Sequence, residues 1–150
     1  MYLTPEGVEK LKFRLEKLKR ELPALAVEAQ RTAAYGDRSE NFEYKVAKRE
    51  FRRAQSSIIH ITAQLKNIAV IPKGPDSAGT IRRGTTVTLV TDTRDRKIYH
   101  LVGPRETDPT HGRISAESPL GALLIGKKLG DRVILKTPRG EMGYKIVEVK

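Results

Sequence analysis

The sequence predicts an α+β protein: an N-terminal antiparallel coiled-coil hairpin followed by a small antiparallel sheet domain carrying one short helix. Three observations predict it. Two heptad seams of matching phase occupy the first 68 residues, a Pro- and Gly-rich break follows them, and two pairs of short β-branched runs lie beyond the break. The expected domains are therefore a coiled-coil finger over 1–71, a linker over 72–79 and a sheet domain over 80–150.

The first helix opens at Thr4-Pro5-Glu6. Threonine caps, proline occupies the position where its missing N–H costs nothing, and glutamate complements the dipole. Val8, Leu11, Leu15, Leu18, Leu22, Leu25 and Ala29 then alternate at spacings of three and four, with charged residues between them, which is a coiled-coil seam. Pro23 falls inside it and costs about 3 kcal/mol in a helix interior. The seam keeps its phase on both sides of Pro23, so the expectation is a kinked helix and not a loop.

A second seam runs through Tyr44, Ala47, Phe51, Ala54, Ile58, Ile61, Leu65 and Ile68. Folded back about a turn between Gly36 and Asp37, the seams pair Val8 with Leu65, Leu15 with Ile58, Leu22 with Phe51 and Ala29 with Tyr44. At about 1.5 Å per residue this makes a finger roughly 45 Å long. Tyr35-Gly36-Asp37-Arg38-Ser39-Glu40-Asn41 lies at its far end.

The helical period stops at Ile71-Pro72-Lys73-Gly74-Pro75. Beyond it, the runs 86–90 and 98–102 flank a charged turn, and 132–136 pairs with 144–149 across Thr137-Pro138-Arg139-Gly140. Ser118-Pro119 starts a short apolar helix, Leu120 to Ile125, closed by Gly126.

Composition narrows the function. The 150 residues carry 29 Lys and Arg against 18 Asp and Glu, a net charge of +11 that favours polyanionic surroundings. With no cysteine there is no disulfide, thiolate nucleophile or Cys-ligated zinc. The absence of a membrane-length apolar run or a signal pattern leads us to expect a cytoplasmic protein. His60, His100 and His111 lie on different elements without metal-ligand spacing, and no serine-nucleophile or phosphate-cradling glycine motif occurs. No self-contained active site is visible.

Two clusters carry candidate chemistry. Asp37 and Glu40 stand three apart at the finger's end, on one face if helical. On spacing alone they also read as a capping box at the start of the second helix. Their place at the end of a basic finger points instead to Mg²⁺, a hard cation that takes one or two protein carboxylates beside substrate phosphates, with a partner supplying the other ligands. Just behind them Lys45, Lys48, Arg49, Arg52 and Arg53 recur at helical spacing with only Glu50 among them. This reads equally as a solvated face and as a phosphate-contacting stripe. Phe42 reads first as a staple of the turn and second as a base-stacking ring.

The run Gly36-Asp37-Arg38-Ser39-Glu40-Asn41-Phe42-Glu43-Tyr44 resembles the tip signature of the bacterial Gre transcript cleavage factors, and is closer to the GreB branch than to GreA. Leu3-Thr4-Pro5-Glu6-Gly7 is similar to that family's opening. The segment Ile114 to Lys127 and Thr137-Pro138-Arg139-Gly140-Glu141 resemble its C-terminal motifs, in a domain of FKBP-like fold. The resemblance spans nearly the whole chain; at Phe42 the family more often has a small residue.

The resemblance implies a monomeric protein that is not itself an enzyme. It would bind RNA polymerase, insert its coiled coil through the secondary channel and stimulate the polymerase's own cleavage of backtracked RNA near the nascent 3′ end. Asp37 and Glu40 would be the functional acidic pair, sharing a second Mg²⁺ with the polymerase. One would hold the metal and the other orient or deprotonate water, in an order the sequence does not apportion. Glu117, Ser118 and Pro119 would lie in the loop that docks on the polymerase. Competing readings are a channel-binding regulator that inhibits without stimulating cleavage, and a basic coiled coil that binds RNA or DNA directly. A prolyl isomerase, suggested by fold analogy alone, finds only Tyr99 and Tyr144 as aromatics in its domain.

Overall fold

The computed structural model describes residues 1–36 and 41–150. The chain forms two compact units, Val8–Ile68 and Met1–Gly7 together with Ala69–Lys150.

In the first unit, α1 (Pro5–Ala33) and α2 (Phe42–Lys66) carry the two seams. Leu15, Ala47, Ala54 and Ile61 are buried and the other seam residues half-buried, while the charged residues of α1 between them are exposed. Burial thus follows the heptad pattern at every expected position. Helix α1 runs without interruption through Pro23, whose ring is exposed. The half-buried Leu22 and Leu25 on either side keep the seam continuous across the hydrogen bond that proline removes.

Asn41 ties the reversal together. Its amide Nδ2 donates to the Thr32 carbonyl at 2.6 Å while its Oδ1 accepts from the Tyr44 N–H at 3.0 Å. Thr32, 1% exposed, donates its own hydroxyl to the Glu28 carbonyl at 2.8 Å. One side chain therefore caps α2 and gives a second donor to the Thr32 carbonyl at the end of α1, which also accepts from the Tyr35 N–H at 3.3 Å. Asn41→Ala is expected to lower stability by about 1–2 kcal/mol, with Asn41→Asp, which keeps only the capping acceptor, falling between. Urea titration followed by helical ellipticity checks this, and an unchanged midpoint in Asn41→Ala would refute it.

The second unit is built on a five-stranded sheet. Its strands are β3 (Thr86–Thr91), β4 (Arg96–Val102), β5 (Arg113–Ser115), β6 (Arg132–Thr137) and β7 (Gly140–Val149), in the order β5-β4-β3-β7-β6. Both predicted hairpins form: β3 is antiparallel to β4, with Thr86 opposite His100, and β6 to β7, with Arg132 opposite Lys145. The central antiparallel pairing of β3 with β7 joins them. The sheet departs from the expected all-antiparallel pattern in β5, which lies parallel to β4. Three residues are too few to show a period in sequence.

Helix α3 (Pro119–Leu124) completes the core, in which Leu120 and Leu124 pack with Ile81, Val87, Leu89, Leu101, Ile114, Val133, Tyr144 and Ile146. Alternation along β3 puts Val87 and Leu89 at 0% exposure.

The first seven residues fold with the sheet unit and not with the finger. The two-residue strands β1 (Tyr2–Leu3) and β2 (Ala69–Val70) pair in parallel. The Glu106 carboxylate accepts from the Thr4 N–H at 2.7 Å and from the Thr4 hydroxyl at 2.5 Å, and that hydroxyl oxygen in turn accepts from the Gly7 N–H at 3.1 Å. Thr4 is thus the expected cap, with a distant carboxylate behind it. Among the described residues no helix is long and apolar enough to cross a membrane.

Candidate functional site

Asp37 and Glu40 lie outside the described residues; the structure fixes what stands on either side of them. The capping-box reading falls on the same two residues outside the described ones; what the structure gives is that α2 begins at Phe42 with Asn41 as its N-cap. The staple reading of Phe42 is corrected. A staple joins the residue before the cap to the fourth helical residue, whereas Phe42 is the first helical residue and is 75% exposed.

On the α1 side Arg31 is held by Glu28, with Nη2 to Oε1 at 2.5 Å and Nε to Oε2 at 2.9 Å, and its Nη1 donates to the Tyr35 hydroxyl at 2.8 Å. The Arg31 hydrogen bond holds the Glu28 carboxyl below the ordinary glutamate range, and the same bond raises Arg31 above the ordinary arginine value.

Behind the tip, Lys45, Lys48, Arg49, Arg52 and Arg53 line a shallow groove of about 410 Å³ on α2. All five lining residues are cations. Lys48 is half-buried with its ammonium 5.5 Å from the centre of the Tyr44 ring; the other four are exposed. Lys45–Arg49, Lys48–Arg52 and Arg49–Arg53 are like-charge pairs at i,i+4, which together cost the helix about 1 kcal/mol. A face that repels itself is a poor stabilising device and a good one for attracting phosphates.

The sheet unit gathers the second set of candidates. Ser118 caps α3: its Oγ accepts from the Gly121 N–H at 3.1 Å and donates to the Ser115 carbonyl at 2.7 Å, so its hydroxyl is spent within the loop. Pro119 follows at the first helical position with its ring exposed. The Arg83 Nη2 donates to Glu117 Oε1 at 2.7 Å, and the guanidinium carbon lies 4.8 Å from the centre of the Tyr2 ring. Tyr2, Arg83 and Ser115 thus set the loop's geometry. Reading the sequence alone missed them, because no spacing links positions 2 and 83 to 117.

The Arg83 hydrogen bond holds the Glu117 carboxyl below the ordinary glutamate range. Its folded value lies below the unfolded one, so the contact contributes fully above the ordinary range and is lost as pH falls through the depressed value. A carboxyl-detected NMR titration is expected to show Glu117 protonating at lower pH than a free glutamate, and Arg83→Ala to move it back toward the ordinary value, since Arg83 is the largest of the causes that lower it. Titration at the ordinary value in the unsubstituted chain would show that the contact does not persist in solution.

Comparison with known proteins adds a second kind of finding. Residues 1–70 match the family described as transcription elongation factor, N-terminal, and residues 76–150 match transcription elongation factor, GreA/GreB, C-term. Transcription elongation factor GreA of Thermodesulfovibrio yellowstonii is 38% identical over 149 residues, covering 98% of this chain and 94% of that protein. GreA of Bacillus cytotoxicus is 37% identical over 150 residues, covering 99% and 95%. Among solved structures, GreA factor homolog 1 of Thermus thermophilus is similar at 26% identity with a TM-score of 0.44, covering 100% of this chain and 98% of that one.

Proposed function

The chain belongs to the GreA/GreB family of transcription elongation factors, and from that premise we propose that it binds RNA polymerase, enters the secondary channel with its hairpin and stimulates the polymerase's own cleavage of backtracked RNA. The observation that carries this reading is the retention of Asp37 and Glu40 at the reversal of a hairpin whose helix cap is supplied by another residue, Asn41. With the cap of α2 assigned to Asn41, that duty does not compete with metal binding by the pair.

The donor set fits a hard divalent cation: two carboxylates suit Mg²⁺, and a partner site must supply the remaining ligands. Asp37 and Glu40 would hold that ion jointly with the polymerase, where it would neutralise and align the scissile phosphodiester. The chain's own part is positional. The Asn41 cap and its bond to Thr32 hold the two helix ends that carry the pair, and a carboxylate not engaged by metal orients the attacking water or accepts its proton. The cationic groove of α2 attracts the phosphates of the displaced RNA strand. The loop at Glu117, Ser118 and Pro119 docks on the polymerase surface, in a soluble cytoplasmic setting and with a single copy of the chain.

A cleavage assay on a stalled, backtracked elongation complex tests the proposal. RNA shortening that depends on added protein and on Mg²⁺ supports it. Binding with inhibition and no shortening would establish the alternative, a channel-occupying regulator. Retention by naked RNA or DNA at physiological salt, without effect on the elongation complex, would make the chain a direct nucleic-acid binder.

The groove gives a further expected result. Changing Lys48, Arg49, Arg52 and Arg53 together to alanine removes the like-charge repulsion and installs the best helix former, so the hairpin should be at least as stable. Cleavage should fall, most on deeply backtracked complexes, and binding should depend less steeply on salt because fewer counterions are released. An unchanged rate and salt slope would make the stripe a solvated face.

A further inference from the structure

We propose that the ring of Phe42 is a stacking platform for an unpaired nucleobase at the 3′ end of single-stranded RNA, at the head of the cationic track that holds the strand's phosphates. The inference rests on the function proposed above and names what the hairpin end grips.

Exposure is the first observation. At 75% Phe42 is the most exposed large apolar side chain among the described residues. As the first residue of α2, directly after a polar cap, it serves neither the seam nor a staple.

Placement is the second. At about 100° per residue, Phe42, Lys45, Arg49, Arg52 and Arg53 fall within about 100° of arc on α2, and the face runs about 16 Å from the ring to Arg53. The aromatic residue therefore leads the same face on which the cationic groove lies.

The neighbouring ring supplies the third. Tyr35, also exposed, is engaged by Arg31, whose guanidinium carbon lies 5.5 Å from the ring centre and whose Nη1 bonds the hydroxyl. Phe42 is the more exposed of the two rings and makes no such contact among the described residues. An aromatic face beside a cationic track is how single strands are held without regard to sequence, since every base presents a π-face and every nucleotide a phosphate. The ring has no hydrogen-bonding group, so the grip should be tolerant of base identity.

The experiment uses the full chain as it stands, as Phe42→Ala and as Phe42→Tyr, on backtracked elongation complexes whose RNA ends in a natural, an abasic or a 2-aminopurine 3′ nucleotide. The unsubstituted chain and Phe42→Tyr should quench the 2-aminopurine on binding, and Phe42→Ala should not. On the natural end Phe42→Ala should cleave about tenfold more slowly than the unsubstituted chain. On the abasic end the three proteins should cleave equally. An equal slowing by Phe42→Ala on natural and abasic ends would place the ring against the polymerase and overturn the proposal, as would no slowing on either. Quenching is read without cleavage, so the two readings separate. Quenching by the unsubstituted chain without RNA shortening would overturn the cleavage function and leave the platform standing. Shortening without quenching would do the reverse, and neither signal would overturn both.

Discussion

Replacing Asp37 or Glu40 by alanine is expected to slow stimulated cleavage at least about a hundredfold while leaving the concentration needed for half-maximal effect nearly unchanged. A metal at a reacting phosphodiester supplies several kcal/mol of transition-state stabilisation, and each 1.36 kcal/mol is tenfold in rate. Docking area, by contrast, does not depend on two carboxylates at a tip. The same variants test the structural alternative, because a lost helix cap costs about 1 kcal/mol. With Asn41 as the cap of α2, both variants should unfold at the same urea concentration as the unsubstituted chain. Normal cleavage with lowered stability would return the pair to a capping role and remove the basis of the proposed function.

Glu117→Lys is expected to raise the concentration for half-maximal cleavage about tenfold or more, with the maximal rate recovered at saturation. The substitution replaces a 2.7 Å hydrogen-bonded ion pair with Arg83 by two like charges, and like charges brought together at an interface cost several kcal/mol before solvent screening. Here screening is substantial, since the Glu117 side chain is 52% exposed, which keeps the expected effect at the lower end. Arg83→Ala should move affinity in the same direction by less, because it frees Glu117 without reversing its charge. Pro119→Asn should also weaken docking, by loosening the first position of α3. A fall in maximal rate at unchanged affinity would show that this loop is not the docking surface.

The hairpin was legible because a heptad seam is local information repeated. Each of Val8 through Ala29 and Tyr44 through Ile68 marks the same stripe, and no single residue has to be right for the phase to be read. Thr4 as a cap, Pro119 at a helix start and the two β-hairpins were legible for a related reason: turn and cap chemistry acts over two to four residues.

What only tertiary structure decided lies at contacts between residues far apart in sequence. Glu106 supports the start of α1 across 102 positions, β5 finds β4 with only three residues, and Arg83 reaches Glu117 across 34. Such pairs leave no period in the chain, since their separation is set by the path of the intervening loops. The tip shows the division most sharply. Sequence placed a carboxylate pair beside a helix start, where capping and metal binding use the same residue types, and the observed bonds of Asn41 assign the cap elsewhere. Charge behaved likewise: the stripe of Lys45 to Arg53 was plain in the sequence, but only the folded helix showed Phe42 standing exposed at the head of the same face, because exposure depends on what the rest of the chain covers.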